Sequence, residues 1–194
     1  MPIYDEMVAK VLGPTECAAY TLEVPPEEAR LKLLDIIAKS AFNNLRGYSN
    51  CCRSTLWAIQ THLRMPGVDA FKASSSLCGG IVGTGETCGS VIGGLMAIGQ
   101  ALGPDSFQEP DTDALVRSVS ESFVAAFVEK IGGTRCFQVQ EALVGWRCDD
   151  PSKAEAWYEA NGLVACASTC GFAARLAAER ILEQWDQRAV SSDR

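Results

Sequence analysis

Nine cysteines and a single histidine, His62, set the chemistry open to this 194-residue chain. The cysteines are Cys17, Cys51, Cys52, Cys78, Cys88, Cys136, Cys148, Cys166 and Cys170. Thiolates select soft metals such as zinc or the iron of iron–sulfur clusters, and otherwise carry thiol–disulfide exchange. With one histidine the chain has no HExxH site, no two-histidine site and no CxxCH haem attachment. There is no C-x-x-C knuckle either, and the candidate cysteines stand tens of residues apart. A cysteine site therefore exists only where the fold assembles one.

The stretch 79–94, GGIVGTGETCGSVIGG, is the best place to look for it. Cys88 sits where a glycine-rich loop turns into a helix, after Glu86 and with Thr87 as a candidate N-cap. A thiol in the first turn of a helix faces unpaired N–H groups and the positive end of the macrodipole, which favour its anionic form. Gly83-Thr84-Gly85 also begins a GxGxxG pattern, but Cys88 occupies the position of the third glycine. No strand-like run precedes it, no Lys-Ser/Thr follows, and Glu86 would repel a phosphate, so a nucleotide loop is disfavoured.

The elements that must position Cys88 read as helices throughout. Pro26-Glu27-Glu28 opens the first, whose apolar residues Leu31, Leu34, Ile37, Ala41 and Leu45 recur at helical spacing until Gly47 ends it. Ser49 or Asn50 caps the next, which runs to about Leu63. Cys52, Leu56, Ile59 and Leu63 form one stripe of it, and Cys51, Thr55, Ala58 and His62 the neighbouring one. After the glycine-rich loop, Gly89, Gly93 and Ala97 form a small-residue ridge that lets another helix come near. Pro110 introduces a helix with Val119, Phe123, Phe127 and Ile131 in register, and Thr134 caps another with Cys136, Val139 and Leu143. A short helix from Pro151 to Asn161 precedes a final one, running to about Gln187 with Cys166, Cys170, Ala173, Ala177 and Ile181 on one face. No segment alternates as a strand would. The expected fold is all-α, a compact single-domain bundle of about six or seven helices.

Composition narrows the function further. At 47% hydrophobic residues the chain is no disordered tether. A net charge of −7 disfavours nucleic acid and anionic membranes, because there is no basic surplus to displace counterions. No apolar run approaches the ~20 residues of a membrane span, and the N-terminus lacks the basic and apolar regions of a signal peptide. The expected location is the cytoplasm. There, a high cysteine count reads as metal or redox use more readily than as a disulfide scaffold. His62, close to a helix C-terminus, reads as a surface or capping residue. Trp57, Trp146, Trp157 and Trp185 read as core or interface anchors.

Cys51 or Cys52, Cys88, Cys136 and Cys166 all fall close to helix starts. Four such N-termini converging on one point would stabilise thiolates or a thiolate-bound cluster. Asn50-Cys51, Gly85-Glu86-Thr87-Cys88-Gly89-Ser90 with Gly93, Gly133-Thr134-Arg135-Cys136 and Cys166 also resemble the redox-active protein family named for its C…GCAxxG…C…C pattern. The resemblance covers residues 28 to 184. It implies a small helical redox domain from anaerobic or redox-versatile prokaryotes, and related domains have an iron–sulfur centre attributed to them. Carried over residue by residue, it implies a site of Cys51, Cys88, Cys136 and Cys166. Ser90 departs from the family's usual alanine, Cys78 stands at a position usually apolar, and Cys52, Cys148 and Cys170 are additional. The apolar stripe through Leu56 instead favours Cys52 as the inward thiol, so the choice between Cys51 and Cys52 stays open.

The expectation is thus an electron-transfer protein with a [2Fe–2S] or [4Fe–4S] cluster, in preference to zinc, and with a partner protein as redox mate. A homo-oligomer remains open. The rivals are a thiol–disulfide protein with Cys88 as reactive thiol, and a zinc-binding or metal-free accessory module. Residues 1–24 would be an N-terminal extension, 25–187 the helical cysteine-rich redox domain and 188–194 a flexible tail.

Overall fold

The computed structural model describes residues 26–65, 67–145, 152 and 154–192. Cys17, Cys148, Trp146 and the 1–24 extension lie outside them.

Helix α1 spans Pro26–Tyr48, with Glu27 and Glu28 in its first turn and Arg46 in its last, each complementing the helix dipole. It ends beyond Gly47, whose Cα faces open space. Ser49 stops it instead, in a left-handed conformation (φ 51°) with its N–H donating to the Leu45 carbonyl at 2.8 Å. Helix α2, Cys51–His62, starts as its cap predicts. Asn50 Oδ1 accepts from the Arg53 N–H at 3.0 Å, and its Nδ2 donates to the Ser75 carbonyl at 2.9 Å.

Then come α3 (Val68–Ala73), a single 3-10 turn (Ser74–Ser76), the glycine-rich loop and α4 (Gly89–Leu102). They are followed by α5 (Pro110–Ile131), α6 (Cys136–Val144), α7 (Ala154–Glu159) and α8 (Gly162–Ser192). The described residues hold eight helices and no strands, an all-α fold as expected. The helix beyond the expected seven is α3, whose six residues are too few for a hydrophobic period to reveal. Helix α8 runs on past Gln187 to Ser192. Among the described residues no helix is long and apolar enough to cross a membrane.

Helix α8 is the spine of the bundle, packed by α1, α2 and α4. Its inner face is mostly small: Ala167, Cys170, Ala173, Ala174, Ala177 and Ala178 are all fully buried. Small residues let backbones approach, and a Cβ on Gly171 would stand 2.9 Å from the Ala38 carbonyl of α1. Arg30–Asp186 and Arg175–Asp35 ion pairs tie α1 to α8 at the surface. The ridge on α4 works similarly. A Cβ on Gly93 would stand 2.5 Å from the Cys52 carbonyl, and one on Gly94 would stand 2.5 Å from the Phe123 ring of α5. Leu31 and Leu143, expected on inward stripes, are exposed.

Candidate functional site

The glycine-rich loop is a left-handed turn. Gly79, Gly80, Ile81, Val82 and Gly83 all have φ between 52° and 78°, and Gly85 has φ 79°. Glycine takes this conformation readily, whereas the β-branched Ile81 and Val82 are strained in it. Bonds from the Gly85 N–H to the Gly79 carbonyl (3.1 Å) and the Glu86 N–H to the Gly80 carbonyl (3.0 Å) close the turn.

Beyond it the chain pairs with the segment that enters α6. The Cys88 N–H donates to the Thr134 carbonyl at 2.8 Å, the Cys136 N–H donates to the Glu86 carbonyl at 2.6 Å, and Thr87 and Arg135 face each other in an isolated antiparallel bridge. This pairing corrects two expected caps. Thr87 is held in the bridge, so Cys88 itself takes the N-cap position of α4 without a side-chain bond. Arg135, not Thr134, precedes α6, and its N–H is satisfied by Gln138 Oε1 at 3.2 Å. The same pairing brings Cys88 and Cys136 to the wall of one cavity, and Gly80 makes room: a Cβ there would lie 2.7 Å from the Cys136 Cβ.

These two cysteines and three others line one cavity of about 230 Å³. Cys51 comes from the start of α2, Cys88 and Cys136 from the paired segments, and Cys166 and Cys170 from the second and third turns of α8. Gly79, Ser90, Gln140, Trp157, Leu163 and Thr169 complete much of the wall. Polar contacts reach the sulfurs. Cys88 Sγ and Ser90 Oγ are 3.0 Å apart, and Gln140 Nε2 donates to Cys136 Sγ at 3.6 Å. The Cys170 thiol donates to the Cys51 carbonyl at 3.7 Å.

Cys52 does not join them. Successive helix residues point about 100° apart, and Cys52 turns toward α4, where it is fully buried with its sulfur 3.9 Å from Met96 Sδ. The apolar stripe through Leu56 therefore marked burial correctly, yet it is the half-buried Cys51 that faces the cavity. Cys78 is half-buried in the loop and outside the cavity lining. His62 is half-buried at the far end of α2 from Cys51, also outside the lining. Sequence reasoning left Cys170 undecided. The signal was its place one turn after Cys166, but only the packing of α8 against α2 brings it to the cavity.

Three of the thiols, Cys51, Cys52 and Cys170, resist ionisation in this setting. Burial, then the neighbouring Cys88, pushes Cys51 up to about 11, against the pull of the Gly79 N–H. Burial, then Cys51, pushes Cys52 up to about 12. Burial, then Cys51 and Cys88, holds fully enclosed Cys170 well above the ordinary thiol range, with the Thr55 hydroxyl acting the other way. None of the seven described cysteines is in a disulfide. Among the described residues no three His, Cys, Asp or Glu side chains are grouped so as to hold a metal ion.

Residues 49–180 match the profile of a family described as “Putative redox-active protein (C_GCAxxG_C_C)”. No curated protein and no solved structure matches the chain. The matched stretch begins just before Asn50-Cys51, so it leaves α1 outside and is narrower than the sequence resemblance suggested. It contains the left-handed turn, the Thr87–Arg135 pairing and every cysteine of the cavity, and covers well over half of the residues. The chain belongs to this redox-active family with the C…GCAxxG…C…C pattern.

Proposed function

We propose that this chain is an electron-transfer protein whose cysteine cavity binds an iron–sulfur cluster through Cys51, Cys88, Cys136 and Cys166. The observation that carries the reading is convergence. Thiols from segments far apart in sequence line a single cavity, while Cys52, the neighbour of Cys51, is turned away from it.

The donor set fits such a group. Sulfur ligands select iron–sulfur clusters and zinc over harder ions. Burial keeps Cys51 protonated beside other thiols, so loading must release its proton to solvent as the thiolate binds. The Gly79 N–H toward Cys51, the Gln140 amide on Cys136 and the Ser90 hydroxyl beside Cys88 would orient the sulfurs and tune the potential. A bound cluster would supply one-electron transfer. The chain's own part is to hold the thiolates, direct N–H dipoles at them and limit water. Electrons would pass to or from a partner protein, in the cytoplasm of an anaerobic or redox-versatile prokaryote.

A second reading is thiol–disulfide exchange, with Cys88 attacking and Cys136 or Cys166 resolving. The N-cap position of Cys88 and the dithiol state of the described cysteines favour it. Protein made and purified without oxygen separates the readings. The cluster reading predicts a brown protein with iron and acid-labile sulfide in similar amounts. A colourless protein with stoichiometric zinc, or with no metal and a disulfide revealed by mass after alkylation, overturns it.

A further inference from the structure

The corner between α1 and α2 has a second hollow on its other side. Leu45, Ser49 and Cys51 face the cysteine cavity, whereas Asn44, Tyr48, Asn50 and Arg53 line a separate cavity of about 150 Å³ with Trp57 and Phe71.

Two of its polar side chains, Asn44 and Arg53, have buried atoms without partners among the described residues. Asn44 is 3% exposed, and among the described residues neither its amide nitrogen nor its amide oxygen has a hydrogen-bond partner. Burying an amide without partners is costly, so such a group needs an explanation. Arg53 adds a cation. Its guanidinium carbon lies 4.2 Å from the centre of the Phe71 ring, and its buried Nε is also without a partner. No carboxylate is paired with Arg53 among the described residues, and none lines the cavity. The walls are aromatic: Trp57 and Phe71 have ring centroids 5.0 Å apart, and half-exposed Tyr48 stands at the rim.

A guanidinium over an aromatic ring can present its N–H groups to a planar carboxylate. The unpartnered Asn44 amide would add a donor, and the rings would accept an apolar body. A cavity of about 150 Å³ is the size that admits one benzene ring. Inorganic phosphate fits worse, since one cation among aromatic walls leaves a dianion poorly solvated. We propose that this cavity binds a small monocarboxylate with a compact aromatic or apolar body, of the size of benzoate, held by Arg53 and Asn44. Nothing in this inference depends on the occupant of the cysteine cavity.

The test is calorimetric titration of the full chain with benzoate, with benzyl alcohol and inorganic phosphate as comparisons. Benzoate should bind saturably at one site, benzyl alcohol at least about tenfold more weakly because the charged hydrogen bond is lost, and phosphate should not compete. Arg53→Gln should weaken benzoate binding by about tenfold or more. Asn44→Leu, close to isosteric, should also weaken it while raising the melting temperature, since it removes an unpaired amide. Cys88→Ala should bind benzoate as the parent does, so failure here is distinct from failure of the cluster reading. No saturable benzoate binding up to about 10 mM, displacement of benzoate by phosphate, or undiminished binding in Arg53→Gln overturns the proposal. Should Asn44→Leu fail to fold, the Arg53→Gln and phosphate arms still decide it. Waters alone occupying the cavity would appear as the first of these outcomes.

Discussion

Cys51 and Cys52 are adjacent in sequence and opposite in surroundings. Cys51 looks into a thiol-lined cavity bounded by a strained loop, while Cys52 is sealed in the seam between α2 and α4 against Met96. The seam is built from regular helices packed closely, with glycine at Gly89 and Gly93, where a Cβ would collide with α2. The cavity is built from what helices leave open: an N-cap cysteine, a left-handed turn and a three-bond pairing between loops. Close packing makes one region intolerant of added volume, and irregular backbone makes the other a place where chemistry can sit.

Adding one methyl to each region should separate them. In the seam, Gly93→Ala drives a Cβ into the Cys52 carbonyl and Thr55, and neither backbone can yield freely. We expect a loss of about 3 kcal/mol, read by denaturant unfolding. Gly89→Ala strikes the Cys51 sulfur and the Leu77 carbonyl. Its stability loss should be similar or smaller, but it should displace Cys51 and so abolish cofactor loading. Full loading of a folded Gly89→Ala protein would argue against Cys51 as a ligand.

Alkaline pH probes the buried thiols of both regions at once. An unfolded cysteine ionises near 9.0, whereas folded Cys51 holds its proton to about 11. The stabilisation is fully present below pH 9 and is lost as pH rises through about 11, because the unfolded chain sheds its proton first. Melting temperatures of the cofactor-free protein should fall across this window, and Cys52, held to about 12, extends the loss upward. A flat profile would mean that the thiols are more solvated than their burial implies.

Smaller effects come from the periphery. Val82 is 71% exposed with φ 52°, so Val82→Gly should relieve strain and raise stability by about 0.5–1 kcal/mol. His62→Ala should leave iron content and visible absorption unchanged, since His62 is outside the cavity lining. Loss of colour in a folded His62→Ala protein would add it to the ligand set.

Local signals carried much of this organisation. Pro26 with two acids, the Asn50 cap, Pro110 and the glycine ridge of α4 are read from neighbours a few residues away, and the helices follow them. The misplaced caps have a common cause. Thr87 and Thr134 look like capping residues in isolation, but the two stretches bond to each other, and no local pattern reports a pairing that distant. Hydrophobic periodicity likewise tells which residues are buried, not which void they border. It singled out Cys52 and missed that Cys51 faces the other thiols. Ile81 and Val82 in left-handed conformations were not legible at all, because β-branched residues disfavour that region.

The most direct test of the central claim is iron and acid-labile sulfide per folded chain in Cys51→Ala and Cys52→Ala, both prepared without oxygen and checked by circular dichroism. Cys51→Ala opens a coordination position and should lose the cluster, as should Cys88→Ala, Cys136→Ala and Cys166→Ala. Cys52→Ala removes only a buried sulfur from the α2–α4 seam and should keep full iron at some cost in stability. If Cys52→Ala loses its iron while Cys51→Ala keeps it, the cavity is not the cofactor site and the account fails.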